Sequence, residues 1–296
     1  MSGIQVAWHE AMSVGESPLW HHGESSLYWV DINQCLVHRL HPASGQHASW
    51  RMDSEPSSLA IDGGGGLLVA TRQGIVHLDP ASDARRLLYP ALYDTATTRF
   101  NDGKVDPAGR YWIGTIYEPR TSPAAEMFCL DKGELRKVWS GGMTNSNGLA
   151  FAPDGRTMYH ADTASHRIDC YDFDVASGRV GKARAFQLFS ADKHDPAYGG
   201  RPDGATIDSE GCYWVAMFEG ARVLRFAPDG KLLREILLPV RCPTMLAFGG
   251  DDLRTLYITS ASHGRPATET ASYPLNGRLL SIRVEVAGRP EPVYQA

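Results

Sequence analysis

Three stretches repeat one arrangement of polar residue and glycine: Asn101-Asp102-Gly103 leading to Gly109, Asn147-Gly148 leading to Gly155, and Asp203-Gly204 leading to Gly211. In each, the second glycine stands eight positions after the polar residue. The same register passes through Glu16, Ser57 and Thr244, so that Glu16, Ser57, Asn101, Asn147, Asp203 and Thr244 succeed one another at intervals of 41, 44, 46, 56 and 41 residues. If these positions face one small volume, Glu16, Asn147 and Asp203 supply two carboxylates and one amide oxygen to a common centre, with Asn101 alongside. Hard oxygen donors of this kind suit Ca²⁺, Mg²⁺ or Mn²⁺ and can also hold Zn²⁺ or Fe²⁺. Carboxylates gathered without a cation repel one another and lose solvation, which gives a single divalent ion a physical reason to be there. A plainer reading competes with this one, because Asn-Gly and Asp-Gly are strong hairpin signals. The repeat, however, places its hairpin turn seven to eight residues later, at Asp154-Gly155 and Ser209-Glu210-Gly211.

A period of about 40–50 residues in a strand-rich chain is the mark of propeller blades. Runs rich in aromatic and β-branched residues between turn signals read as strands: Leu27–Ile32 and Cys35–Leu40, Leu67–Thr71 and Ile75–Leu78, Tyr111–Ile116 and Glu126–Leu130. The series continues with Thr157–Ala161 and Arg167–Asp172, Cys212–Met217 and Arg222–Phe226, and finally Thr255–Thr259 and Arg278–Val284. Six units of about four strands predict an all-β, six-bladed β-propeller spanning residues 1–296 as one domain. Ring closure needs a seam, and Gln5–His9 is expected to complete the last blade, with Pro292–Gln295 nearby. No helix longer than a turn or two is expected. Two insertions, Ser190–Arg201 and Ser262–Gly277, break the rhythm and read as rims of one face, since long loops on rigid scaffolds commonly carry function. In a propeller the innermost strand of each blade runs along the channel, so a position in register in every blade meets its counterparts at the axis.

The residues around this register resemble the SMP-30/gluconolactonase family. The signatures are Gly15-Glu16-Ser17-Pro18-Leu19-Trp20, Arg99-Phe100-Asn101-Asp102-Gly103-Lys104-Val105-Asp106, Ser146-Asn147-Gly148-Leu149 and Pro202-Asp203-Gly204, supported by Gly114-Thr115, Tyr213-Trp214-Val215-Ala216 and Cys242-Pro243-Thr244. The resemblance runs over nearly the whole chain in one order. It implies a six-bladed propeller with one divalent metal at the channel mouth, hydrolysing sugar lactones in carbohydrate oxidation. Glu16, Asn147 and Asp203 become the implied metal ligands, and Arg99 and Asn101 the implied substrate contacts. Glu118 falls where the family places an acidic substrate contact, although the following Pro119-Arg120 diverges. The implied chemistry has the metal polarise the lactone carbonyl while Asp203 activates water. Activation of the nucleophile on the metal is the open alternative. Arg99 then offers planar donors to sugar hydroxyls or the developing carboxylate.

Composition narrows the remaining classes. With 43% hydrophobic and 21% charged residues and a net charge of −5, the chain reads as a soluble globular protein with no nucleic-acid footprint. No apolar stretch approaches the roughly 20 residues of a membrane span, and the start, Met1-Ser2-Gly3-Ile4-Gln5-Val6, does not read as a signal peptide. Cys35, Cys129, Cys170, Cys212 and Cys242 are scattered and odd in number, which points to a reducing compartment, the cytoplasm. Oligomeric state leaves no readable trace. His160-Ala161-Asp162, His21-His22 and His194-Asp195 read as supporting or surface groups, and Gly63–Gly66 as a blade turn. A Gly-x-Ser-x-Gly elbow is absent, so a serine hydrolase is disfavoured. Two rivals stand beside a lactonase: a related hydrolase of another lactone or a phosphotriester, and a non-catalytic binding platform. No Trp-Asp ending recurs to support the second.

Overall fold

Each apolar run between turn residues becomes a strand, and four successive strands pair antiparallel in chain order to make one blade. The computed structural model describes residues 3–196 and 198–296. The innermost strands of blades 1 to 6 are Gly15–His21, Pro56–Ile61, Thr98–Val105, Ser146–Phe151, Arg201–Ile207 and Pro243–Gly249. Six four-stranded sheets form a ring, a six-bladed β-propeller. Blade 6 draws only three strands from the end of the chain; its outer strand is Gln5–Trp8, paired with Leu279–Arg283, which is the expected seam. Among the described residues the single α-helix, Ala267–Ser272, is six residues long and lies in the second insertion. No helix among them is long and apolar enough to cross a membrane.

The apolar core follows from the period of two along each strand. Successive side chains point to opposite faces of a blade, so each blade buries one set against each neighbour. Six apolar clusters result, one between every adjacent pair of blades. Tyr28-Trp29, Tyr111-Trp112 and Tyr213-Trp214 show the division: Tyr28 packs between blades 1 and 2, and Trp29 between blades 6 and 1. All six of these rings are essentially fully buried. Polar stitches near the axis repeat the connection. Thr244 donates to the Gly15 carbonyl, the Leu59 amide donates to Ser17 Oγ (2.9 Å), and the Leu149 amide donates to Asp102 Oδ2 (2.9 Å). Tyr213 donates to the Gly148 carbonyl at 2.7 Å.

One expectation fails. Pro292–Gln295 does not lie beside blade 6; Tyr294 bridges to Asp62, and the Gln295 amide donates to the Gly109 carbonyl (3.0 Å), on blades 2 and 3. The segment before it runs beneath the ring at the end opposite the strand starts. There the Ser209 amide meets the Ala287 carbonyl, Lys104 pairs with Glu291 (3.0 Å), and the Gly63 amide meets the Tyr294 carbonyl. No periodic pattern marks this tail, and its path is set by these distant polar contacts. Gly63–Gly66 is a blade turn as expected, held in place by the tail.

Candidate active site at the channel mouth

The repeated polar residue is neither a hairpin turn nor an ordinary strand position. In every blade the pairing of the first two strands slips at this point. The ladder breaks after Glu16 and after Asn147, and it skips Ser57, Asn101-Asp102, Asp203-Gly204 and Thr244-Met245. A β-bulge re-aims side chains and bends its strand, and here a bulge falls on the registered position of all six blades. The glycine that comes next has its own cause. A Cβ on Gly148 would collide with Tyr213 Oη, and its φ of +60° lies in the left-handed region. The expected hairpin turns come later, with Gly155 and Gly211 at φ +66° and +81°.

Glu16, Asn147 and Asp203 are all buried. Asn147 spends its amide N–H on Thr163 Oγ1 (2.7 Å), and its Oδ1 accepts Asn101 Nδ2 at 2.8 Å. Glu16 takes the Ser17 amide on Oε2 (2.8 Å). Burial pushes the Glu16 carboxyl well up, and the charges of Asp203 and Asp102 push it further. Asp203 is likewise driven up by burial; Arg201 opposes the shift and Asp102 adds to it. Burial thus holds both Glu16 and Asp203 back from ionisation, and the charge of Asp203 reaches Glu16.

Asp102 is a member of the site that the register does not pick out. It shares the bulge with Asn101, is 3% exposed, and keeps Oδ1 buried without a partner. Burial raises its carboxyl to about 6. An Asn-Asp pair before glycine does not mark the aspartate, and the pairing skips both residues; burial singles Asp102 out.

From the rim a chain of contacts runs into the centre. Arg72 donates to both oxygens of Glu118 (2.9 Å each) and of Glu55 (3.0 Å each). Glu118 stands 3.5 Å from Arg99 Nε, and Arg99 donates to the Phe100 carbonyl (2.9 Å) and to Asn101 Oδ1 (2.8 Å). Asn101 closes the path through the Ser146 carbonyl (2.9 Å) and Asn147. Arg99, Asn101 and Glu118 thus lie on one connected line beside the carboxylates. Asp162 accepts the amides of Thr144 (3.1 Å) and Asn145 (2.9 Å), fixing the approach to the strand that bears Asn147. His160 bonds Ser146 Oγ (2.8 Å), His21 accepts the Glu24 amide, and His194 is exposed.

A second acidic group gathers at the opposite end of blade 5, where ligand atoms of Asp208, Glu210 and Cys212 lie within 4.8 Å of one another. Arg225 already supplies the cation there, 2.7 Å from Asp208 and 2.6 Å from Glu210, and the Trp214 indole donates to Asp208 at 2.8 Å. Asp106 receives Trp112 (2.8 Å) and Arg110 (2.6 Å) in blade 3 in the same way. These are braces of the scaffold.

The sequence model of the SMP-30/gluconolactonase/LRE-like region matches residues 14–262. The chain belongs to this family. It is 43% identical over 281 residues to the 6-deoxy-6-sulfogluconolactonase of Pseudomonas putida, covering 95% of this chain and 94% of that protein. Regucalcin of Gallus gallus is 33% identical over 287 residues, covering 94% and 93%. Among solved structures, a calcium-binding regucalcin from Agrobacterium tumefaciens superposes with a TM-score of 0.92 at 28% identity, covering 100% of this chain and 98% of that one. Family members thus share this fold across almost their whole length.

Proposed function

We propose that the chain hydrolyses a sugar lactone, opening an aldonolactone to its aldonic acid, with one divalent cation held by Glu16, Asn147 and Asp203. The observation that supports the reading is a pair of buried carboxyls, Glu16 and Asp203, in register with a buried amide, Asn147, whose N–H is spent on Thr163. The match to a sulfogluconolactonase over nearly the full length supports it. The donor set fits a cation: Asn147 Oδ1 keeps a lone pair beyond its bond to Asn101, and a positive charge would reverse the shift that burial imposes on both carboxyls. Bound there, the ion would act as a Lewis acid on the lactone carbonyl.

The remaining work falls to side chains. Asp203 takes a proton from the attacking water as the new C–O bond forms. The ring C–O bond then breaks, and Asp203 returns the proton to the departing ring oxygen, which becomes a hydroxyl. Arg99, anchored by Phe100 and Asn101, directs its remaining N–H groups at sugar hydroxyls and at the carboxylate of the product. Glu118, held by Arg72, accepts from a hydroxyl at the rim. Five free thiols support a reducing compartment such as the cytoplasm.

The test is a panel of aldonolactones assayed with Ca²⁺, Zn²⁺, Mn²⁺ and Mg²⁺ before and after chelation. Turnover should depend on added metal, and Asp203→Asn should lower kcat by at least about 10²-fold, the usual contribution of a positioned base. Substantial turnover in that variant would remove Asp203 as base. Inertness toward every lactone with every metal would favour the binding platform.

A further inference from the structure

Arg201 stands two residues before Asp203, as Arg99 stands two residues before Asn101. Two residues of extended chain place each arginine's backbone about 7 Å from that of the polar residue below it, and the charges of both arginines reach Asp203. Blades 3 and 5 therefore carry matching arginines on either side of blade 4. Their surroundings differ. Arg99 is committed to the Phe100 carbonyl, Asn101 and Glu118. Arg201 keeps its Nε buried with no partner, and its ion pair, to Glu219, is 3.4 Å long. Its guanidinium lies 5.2 Å above the centre of the Phe218 ring. Five N–H donors in a rigid fork are thus largely unspent.

Charge around the mouth is uneven. On the Arg99 side, Arg72 and Arg99 face Glu55 and Glu118, two against two. On the Arg201 side, Lys193 (2.8 Å), Arg265 (3.1 Å) and Arg201 all converge on Glu219. Arg265 also forks onto Glu269, with Arg241 3.9 Å away. This ion-pair network sets four cations on two carboxylates. Lys193 and Arg265 come from the two insertions, which meet here as rims of one face.

We infer that Arg201, with Lys193 and Arg265, forms a subsite for an anionic group on the substrate, a sulfonate, phosphate or carboxylate at the end of the sugar away from the lactone carbonyl. The inference rests on the lactonase reading and narrows its substrate class to acidic sugar lactones.

Binding of the ring-opened acids tests it without relying on turnover. Calorimetric titration compares gluconate with 6-phosphogluconate, 6-deoxy-6-sulfogluconate and glucarate. The wild type should bind at least one of the doubly charged acids about 10- to 100-fold more tightly than gluconate, the range expected of a charge-assisted hydrogen bond. Arg201→Gln should bring that ratio close to one, Arg201→Lys should keep part of it, and Lys193→Gln, at a half-exposed rim position, should lower it less. If Arg201→Gln fails to fold, the Lys193 and Arg201→Lys ratios decide. Equal affinity for gluconate and all three doubly charged acids, or an equal loss for every acid in the variants, overturns the inference. Gluconolactone turnover is measured in parallel. Turnover with a flat binding ratio defeats the subsite alone, whereas no turnover with any metal defeats the lactonase reading whatever the ratio.

Discussion

Acid should weaken this propeller through His160, and the size of the effect can be worked out. His160 is 4% exposed, its Nε2 bonds Ser146 Oγ at 2.8 Å, and Trp139 meets the imidazole edge-on. Burial lowers its pKa from 6.5 to about 4, Asp162 pulling weakly the other way. Between these values the unfolded chain binds a proton that the folded chain refuses, so stability is full above pH 6.5 and is lost as pH falls toward 4. One such group changes stability by about 1.4 kcal/mol per pH unit, or about 3 kcal/mol over the window. His38, lowered to about 4 by burial, adds a similar amount. Glu16, Asp203 and Asp102 oppose this in metal-free protein. Their raised pKa values mean that the folded state holds protons the unfolded chain releases, so their contribution grows as pH falls. Comparing wild type with His160→Gln cancels every group but one. In urea unfolding with chelator, the variant should be about 2 kcal/mol less stable at pH 7.5, from a lost buried hydrogen bond and poorer packing. That deficit should shrink by about 1.4 kcal/mol per unit below pH 6.5 and approach zero near pH 5. A deficit constant from pH 7.5 to 5 would refute the argument. Ser146 also offers its carbonyl to Asn101, so protonating His160 loosens the strand that carries Asn147.

Three further outcomes are expected from the same geometry. Glu16→Gln should abolish the rise in melting temperature that divalent metal gives the wild type, measured by thermal scans across a metal titration; an undiminished rise would take Glu16 out of the ligand set. Gly148→Ala should cost about 2–4 kcal/mol in urea unfolding, from a left-handed alanine and a displaced Tyr213, and a change under about 1 kcal/mol would mean the bulge adapts. Asp208→Asn should destabilise by about 3 kcal/mol by removing the buried carboxylate that accepts from Arg225, the Trp214 indole and the Cys212 amide, Glu210 alone still pairing Arg225. The folded fraction should still bind metal, and lost metal binding would overturn the view of this group as a brace.

The ring was legible because its cause is local and repeated. Leu67–Thr71 and Arg222–Phe226 are strands at the bounds their turn residues suggest, and Gln5–Trp8 closes the seam because blade 6 lacks a fourth strand. Register also drew attention to Glu16, Asn147 and Asp203 without any contact being known. What turns them inward is not local: the bulges form where one blade's backbone meets its neighbour, as where Tyr213 reaches the Gly148 carbonyl. Asp102 stayed hidden since only burial distinguishes it from any acidic residue in a turn. Arg201 lies directly before a signature stretch, but its idle Nε and the crowding at Glu219 depend on loops from two distant insertions. The tail was misplaced because Pro292–Gln295 carries no period, and its partners Asp62 and Gly109 lie far back along the chain.

That tail crosses the end of the ring opposite the strand starts. Residues 287–295 pass under blades 5, 3 and 2 and set Glu291 against Lys104, whose amine lies at the far end of the bore. On the proposed function, a sugar lactone would come in over the rim, past Arg99 on one side and Arg201 on the other, and the acid made from it would leave past the same arginines. On the proposed subsite, arginines that hold an acidic sugar would also slow the release of the acid made from it.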